Sequence, residues 1–379
     1  MEISNSCSIL ISGDFFLESN SKSFNDIEIF GDFLPIIQNS DLAIVNFEAP
    51  VNTGSLPIEK VGPNIKTSIE SISFLKKAGF NLLTLATNHI MDLGSDGLNA
   101  TISECESFKM DYIGVGQDSE NSRRTALFNI ANYKITIINI AENEFGSATI
   151  KTPGANPLNP IKNYYDIKKA KKESDFVFII VHGGHENYSL PSPRMKETYR
   201  FFIDVGADSV FCHHSHCISG YEIYSEKPIF YGLGNLVFEW YGPKPNGWYL
   251  GYSVQLFIND GKLEFKVIPH QQHEDRLGIR LLNPAELVTF ENDLNSLNNI
   301  INDDFKLLTN FEEFYKNCQK KYYSYIEPHS MRYLSAFQNR RILPSLWSKR
   351  KKYYLLNMIR CESHRDIIQN LLENETGHI

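Results

Sequence analysis

The chain has 379 residues, 42% of them hydrophobic, and a formal net charge of −8. That composition belongs to a globular protein with room for one large domain plus an extension, or for two domains. The acidic balance argues against a nucleic-acid partner, which would call for a net basic surface, and no stretch reaches the roughly 18 apolar residues of a transmembrane segment. The N-terminus, "MEISNSCSILISGDFF", has neither a basic start nor a long apolar stretch, so no signal peptide is read there. Six cysteines are scattered without a C-x-x-C pair. That is the pattern of free thiols in a reducing compartment, and the expected location is cytoplasmic.

"SCSILISGDFF" (6–16) is a short apolar run ending in Gly-Asp, a buried strand with polar residues at its end. "SDLAIVNFEAPV" (40–51) repeats the form and ends on Asn46 and Glu48. Residues 68–80 and 95–108 have helical spacing, and 81–92 reads as a strand running into a polar turn. Strands follow at 112–116 and 133–143, and the Gly-, Pro- and Asn-rich stretch 146–165 reads as a long surface loop. "SDFVFIIVHGGHEN" (174–187) and "DSVFCHHSHCISG" (208–220) are strands running into histidine-bearing loops, with a helix between them at 192–207. A hairpin is expected at Asn-Asp-Gly, 259–261. Helices and strands thus alternate to about residue 270, an α/β layered architecture. Beyond about 280 the pattern is helical, so we divide the chain into a domain at 1–275 and a helical extension at 276–379.

The ends of parallel strands share one rim of a sheet, where α/β folds place their sites. That rim collects Asp14, Asn46, Glu48, Asn88, His89, His182, Glu186, His214 and His216. Carboxylates, an amide and imidazoles are oxygen and nitrogen donors suited to Mn, Fe or Zn rather than Ca²⁺. Asp92, three residues after His89, is placed to fix its tautomer, and Glu186 to orient His182 or accept a proton. Asn235, in "GLGN", is placed to bind substrate or cap the rim, and Asn46 joins it as a substrate-binding candidate. Each of these residues also has an ordinary reading as a turn residue or a hydrogen-bonded core group.

The segments "SGDFFL" (12–17), "DLAIVNFEAPV" (41–51), "ATNHIMDLGSDGLNAT" (86–101), "VHGGHENY" (181–188), "GADSVFCHHSHCISGYEIY" (206–224) and "PIFYGLGNLVFEW" (228–240) resemble the CapA-type family. These are the poly-γ-glutamate capsule-synthesis proteins, within the calcineurin-like metallophosphoesterase superfamily. The resemblance implies a layered α-β-β-α sandwich holding one or two divalent metal ions. It implies that Glu48 bridges, that Asp14 and His216 serve a first metal and His182 and His214 a second, and that Asn88 is an amide ligand. It gives His89 the role of protonating a leaving group, which an imidazole titrating near pH 7 can do. His213 is left over, pointing inward or towards a residue that supports the ligands. The sequence departs from the superfamily at Phe15 and Phe16, where a D-x-H pattern would supply a histidine, and at Cys212, Ser215 and His185.

Two functions are compatible with these residues. One is a metal-dependent hydrolase acting on an anionic small molecule or polymer in capsule or surface-polymer synthesis. The other is a non-catalytic accessory or polymer-binding subunit working with capsule-synthesis proteins, and metal-assisted amide chemistry on poly-γ-glutamate is a narrower variant of the first. The helix at 360–373 is placed either to reach the site with Glu362, His364 and Arg365 or to dock through Ile367, Ile368, Leu371 and Leu372. "EPHSMRY" (327–333) is equally open, and the basic run at 340–354 reads as a solvated or partner-facing helix.

Overall fold

The computed structural model describes residues 6–18, 27–326 and 348–376. In chain order these form β1 (Ser6–Phe16), α1 (Leu34–Gln38), β2 (Leu42–Phe47), α2 (Glu70–Ala78), β3 (Leu82–Thr84), α3 (Gly94–Ser107) and β4 (Asp111–Ile113). Next come β5 (Val115–Gly116), β6 (Ala126–Ile130), β7 (Tyr133–Ala141), β8 (Gly154–Ala155), α4 (Pro160–Glu173), β9 (Phe176–His182), α5 (Pro193–Val205) and β10 (Ser209–His213). The remaining strands are β11 (Tyr221–Tyr224), β12 (Lys227–Phe230), β13 (Asn235–Phe238), β14 (Leu250–Asn259), β15 (Lys262–Gln272) and β16 (Ile279–Leu281). The described helices beyond them are α6 (Pro284–Ile301), α7 (Asp304–Ile326), α8 (Lys349–Arg360) and α9 (Glu362–Thr376).

One sheet has the order β16-β15-β14-β1-β2-β3-β4, with β13 also paired to β1; the other runs β11-β12-β10-β9-β7-β6. β1, β2, β3 and β4 are parallel neighbours, as are β7, β9, β10 and β12. Such strands are apolar on both faces, and the alternation of side chains decides which core each residue enters. In β1 and β2, Ile9, Ile11, Leu42 and Ile44 face the second sheet and meet Phe178, Ile180 and Phe211 from β9 and β10. Leu10, Ala43 and Val45 face outward to α1, α2 and α3. On the second sheet, Val177, Ile179 and Val181 point to α4 and α5. The result is the layered α-β-β-α sandwich expected from the sequence, with helices appended at the C-terminal end.

Local chemistry sets the ends of the elements. Ser192 and Asn159 cap α5 and α4 with Pro at the first helical position, and Asn283 with Glu286 forms a reciprocal capping box on α6. The stretch 146–165 is therefore not loop throughout: it contains β8, and α4 begins at Pro160. Asn159 and Pro160, counted there towards the loop composition, are a cap and a helix start. The β14–β15 hairpin turns through Asp260 (φ 49°) and Gly261 (φ 76°), the pair of positive φ values that a tight hairpin requires. β16 pairs with β15, so the sheet runs on to Leu281 and the helical region starts at Pro284. No helix among the described residues is long and apolar enough to cross a membrane.

The helices after Pro284 pack back on the sandwich. Lys196 of α5 bonds the Ile301 carbonyl and, at 2.7 Å, Asp304. α7, α8 and α9 share a core of Phe311, Tyr315, Tyr322, Met358, Ile367, Ile368 and Leu371. Leu372 stays 46% exposed. The "EPHSMRY" segment lies outside the described residues. Of the basic run, the described part opens α8, where Lys349 pairs with Glu59 and Tyr353 bonds it at 2.8 Å.

Candidate metal centre

The site forms where the carboxyl ends of β1, β2, β9 and β10 meet. β1 passes Gly234 so closely that a Cβ on Gly13 would lie 2.1 Å from the Gly234 carbonyl oxygen. Glycine is required there, and the strand pairing shifts register beside it. That irregularity sets Asp14 against Asn46 and Asn235 on the neighbouring strands. On the second sheet, the loop after β10 places His214 (φ 90°) and His216 (φ 55°) in the left-handed region. Backbone strain of this kind, of order 1–3 kcal/mol per residue, persists where the surroundings over-determine a site.

Two donor clusters result. Asp14, Glu48 and His216 each offer one ligand atom within 4.8 Å of the others, and so do Glu48, His182 and His214. Glu48 belongs to both. Its side chain is 0% exposed, and neither carboxylate oxygen has a hydrogen-bond partner among the described residues. Burial, then the charges of Asp14, Glu186 and Asp92, push its carboxyl well above the ordinary range. A buried, unpaired charge costs about 3–5 kcal/mol when its counter-charge is missing. A divalent cation bound by Glu48 would supply that counter-charge, so the orphaned oxygens fit a metal. The donors fit too: burial, then the neighbouring histidines, hold the His182 imidazole well below its usual value, neutral and able to donate a lone pair.

The remaining side chains aim these donors. His216 Nδ1 is 2.9 Å from Asn235 Oδ1, which turns Nε2 to within 3.5 Å of Glu48. Asn46 donates to Asp14 at 2.8 Å, sits 3.1 Å from His182 Nδ1 and accepts from Thr84 at 3.0 Å. Asn46 and Asn235 are thus buried behind the donors and turned to them, and neither lines the cavity above the clusters. Asn88 Oδ1 is 3.0 Å from His182 Nε2, at the second cluster. His213 is 1% exposed, its Nδ1 is 3.5 Å from Asp14, and neither ring nitrogen has a hydrogen-bond partner among the described residues. Phe15 and Phe16, at the D-x-H position, pack into aromatic clusters with Phe47 and Phe238. The first cluster therefore has one imidazole, His216.

His89 sits beside these clusters. Asp92 Oδ2 is 2.6 Å from His89 Nδ1 and also accepts the Ile65 N–H at 2.7 Å. Lys60 pairs with the same carboxylate and lies 3.1 Å from the ring. Burial, then the Lys60 ammonium, hold His89 below the ordinary histidine value, so it does not titrate like the free imidazole of the sequence argument. Lys60 lies in "SLPIEKVGPN", an irregular loop with no periodic signal, and sequence reasoning passed over it. Glu186 lines the cavity, while both His182 ring nitrogens face Asn46, Asn88 and His214. It does not orient His182.

A cavity of about 320 Å³ opens over the centre. Lys60, Asn88, His89, Glu186 and His214 line its floor, and Phe314, Tyr322, Met358, His364 and Ile367 line its roof. The roof is docked by a buried polar network. Arg194 holds Asp366 at 2.8 Å and Glu142 at 2.7 Å, Ser363 bonds Glu142, and Asn143 grips Glu362. Of the three residues expected to reach the site, His364 lines the cavity, Glu362 is engaged by Asn143, and Arg365 is exposed. His185 packs against Phe311 and Phe314, a core contact between floor and roof.

Residues 8–240 match the family model described as bacterial capsule synthesis protein PGA_cap. The chain belongs to that family. Among its PGA_cap relatives, "Capsule biosynthesis protein CapA" of Bacillus anthracis is 31% identical over 220 residues, 56% of this chain and 54% of that one. "PGA biosynthesis protein CapA" of Bacillus subtilis (strain 168) is 31% identical over 250 residues, 63% and 64% of the two chains. The alignments thus span between about half and two thirds of those relatives. The crystal structure of TT1561 of Thermus thermophilus aligns over 69% of this chain and 98% of that one, at 10% identity and a TM-score of 0.36. That score is too low to bear on the fold. The PGA_cap match takes in Asp14, Glu48, Asn88, His89, His182, His214 and His216 and ends before α7, α8 and α9.

Proposed function

We propose that this chain is a metal-dependent hydrolase acting on an anionic phosphoester or carboxylate-rich intermediate in capsule or surface-polymer synthesis. The observation that carries the reading is Glu48, a fully buried carboxylate with both oxygens unpartnered, shared by two donor clusters. Asp14, Glu48 and His216 would hold one ion; Glu48, His182, His214 and Asn88 would hold the other. A bound Mn, Fe or Zn ion supplies Lewis acidity and lowers the pKa of water. The chain's own groups do the rest. Asp92 accepts the His89 Nδ1–H, which leaves Nε2 as the atom able to exchange a proton with substrate. Lys60 adds positive charge at the floor, favouring an anion. Six free cysteines, five of them buried, support a reducing, cytoplasmic setting.

The test is a screen of phosphoesters, p-nitrophenyl phosphate among them, on protein loaded with Mn, Fe or Zn. His89→Asn should lower turnover by about 10²–10⁴-fold with metal content unchanged. Metal-loaded protein without turnover, or equal turnover in the variant, would leave the second reading, an accessory or polymer-binding subunit. Phe15 and Phe16 favour that reading, since they replace a ligand histidine with aromatic packing.

A further inference from the structure

Three side chains that the centre does not use meet at the cavity wall. Glu144 follows β7, Cys361 joins α8 to α9 and His364 lies in the first turn of α9, and one donor atom from each lies within 4.8 Å of the other two. All three line the cavity. Cys361 is a free thiol, 2% exposed. Its backbone is extended (ψ 125°), and His364 follows three residues later.

The imidazole and the carboxylate have donor atoms to spare. His364 Nδ1 is 2.6 Å from the Tyr322 hydroxyl. In the tautomer that donates Nδ1–H to the phenol oxygen, Nε2 keeps its lone pair, as metal-binding histidines do. Burial, then the charges of Glu144 and Glu142, push the Cys361 thiol well above its ordinary value against the bond from the His364 backbone N–H, so a bound cation would have to displace its proton. The Glu144 carbonyl takes bonds from Ser147 and Arg360, yet nothing is bonded to its carboxylate among the described residues. The nearby Arg194 is committed to Glu142 and Asp366.

We infer that Glu144, Cys361 and His364 bind a zinc-type divalent ion, a centre separate from the Glu48 clusters. A thiolate, an imidazole and a carboxylate select Zn²⁺ over Mg²⁺ or Mn²⁺, and three protein ligands leave a fourth position open. Because all three residues line the cavity, that position is available to an anionic group within it. The ion also ties the loop after β7 to α9, joining floor to roof.

Cobalt tests this without reference to activity. The Glu48 clusters contain only nitrogen and oxygen donors, so a sulfur-to-cobalt charge-transfer band in the near ultraviolet reports a thiolate site alone. Full-length protein stripped with chelator and titrated with Co²⁺ should show that band. His214→Ala/His216→Ala should keep it, and Cys361→Ser should lose it. Glu144→Gln, a change on a partly exposed loop, and Tyr322→Phe should each weaken cobalt binding by about 10–100-fold, and they serve if Cys361→Ser does not fold. Absence of the band in the wild type, its loss in the histidine double variant, its persistence in Cys361→Ser, or wild-type affinity in Glu144→Gln would overturn the inference.

Discussion

Floor and roof of the cavity are built on different principles. The floor is a set of strand ends in which each donor follows an apolar run: Asp14 after β1, Glu48 after β2, His182 at the end of β9, and His214 after β10. The roof is a set of helices whose cavity side chains are mixed in chemistry and whose attachment rests on a few buried charges from far along the chain. Asp366 and Glu362 reach back to Arg194 and Asn143. The floor lies inside the family match and the roof beyond it. The matched region thus supplies the candidate donors, while the wall above them comes from residues outside the match.

The largest expected effect separates the two. Arg194→Ala leaves Glu142 and Asp366 buried without their cation and should cost about 3–5 kcal/mol, measured by urea denaturation. The roof should loosen first, with faster hydrogen exchange in α9 than in β9 and metal binding at the Glu48 clusters retained. Equal loosening of both would mean that floor and roof are one cooperative unit.

A smaller effect sharpens the floor's side of the comparison. His270 is buried under Asn235, with Nε2 3.2 Å from its carbonyl, and burial holds its imidazole down at about 4. The unfolded chain takes up a proton near the ordinary value of about 6.5, so below that pH it binds more protons than the fold does. Stability should therefore fall between pH 6.5 and about 4, by of the order of 3 kcal/mol from this group alone. His270→Gln should flatten that part of the melting-temperature profile; an unchanged profile would assign the acid sensitivity elsewhere.

The difference between floor and roof also explains what could be read in advance. A strand that is apolar on both faces announces its end, so Asp14, Glu48, His182 and His214 stood out as residues after such runs. Their partners did not. Asn46 and Asn235 sit on the same strand ends, and only the packing shows that they aim Asp14, His182 and His216 rather than face the cavity. Lys60 comes from an irregular loop and reaches Asp92 through a bend with no sequence period. Glu144 and Cys361 are brought together across more than two hundred residues by the docking of α9, which no local pattern encodes. The two readings of the 360–373 helix proved compatible: Ile367, Ile368 and Leu371 dock it, and His364 turns to the cavity.

The central claim is that Glu48 is left unpaired because a cation belongs to it, and Glu48→Gln tests that directly. Its raised carboxyl means that the metal-free fold loses stability as pH rises above the ordinary value of about 4.5. At neutral pH, metal-free Glu48→Gln should therefore melt above the metal-free wild type. With Mn or Zn present the order should invert, and elemental analysis should show the variant losing the ions that the wild type holds. A variant that keeps the wild-type metal content and shows no inversion would contradict the account.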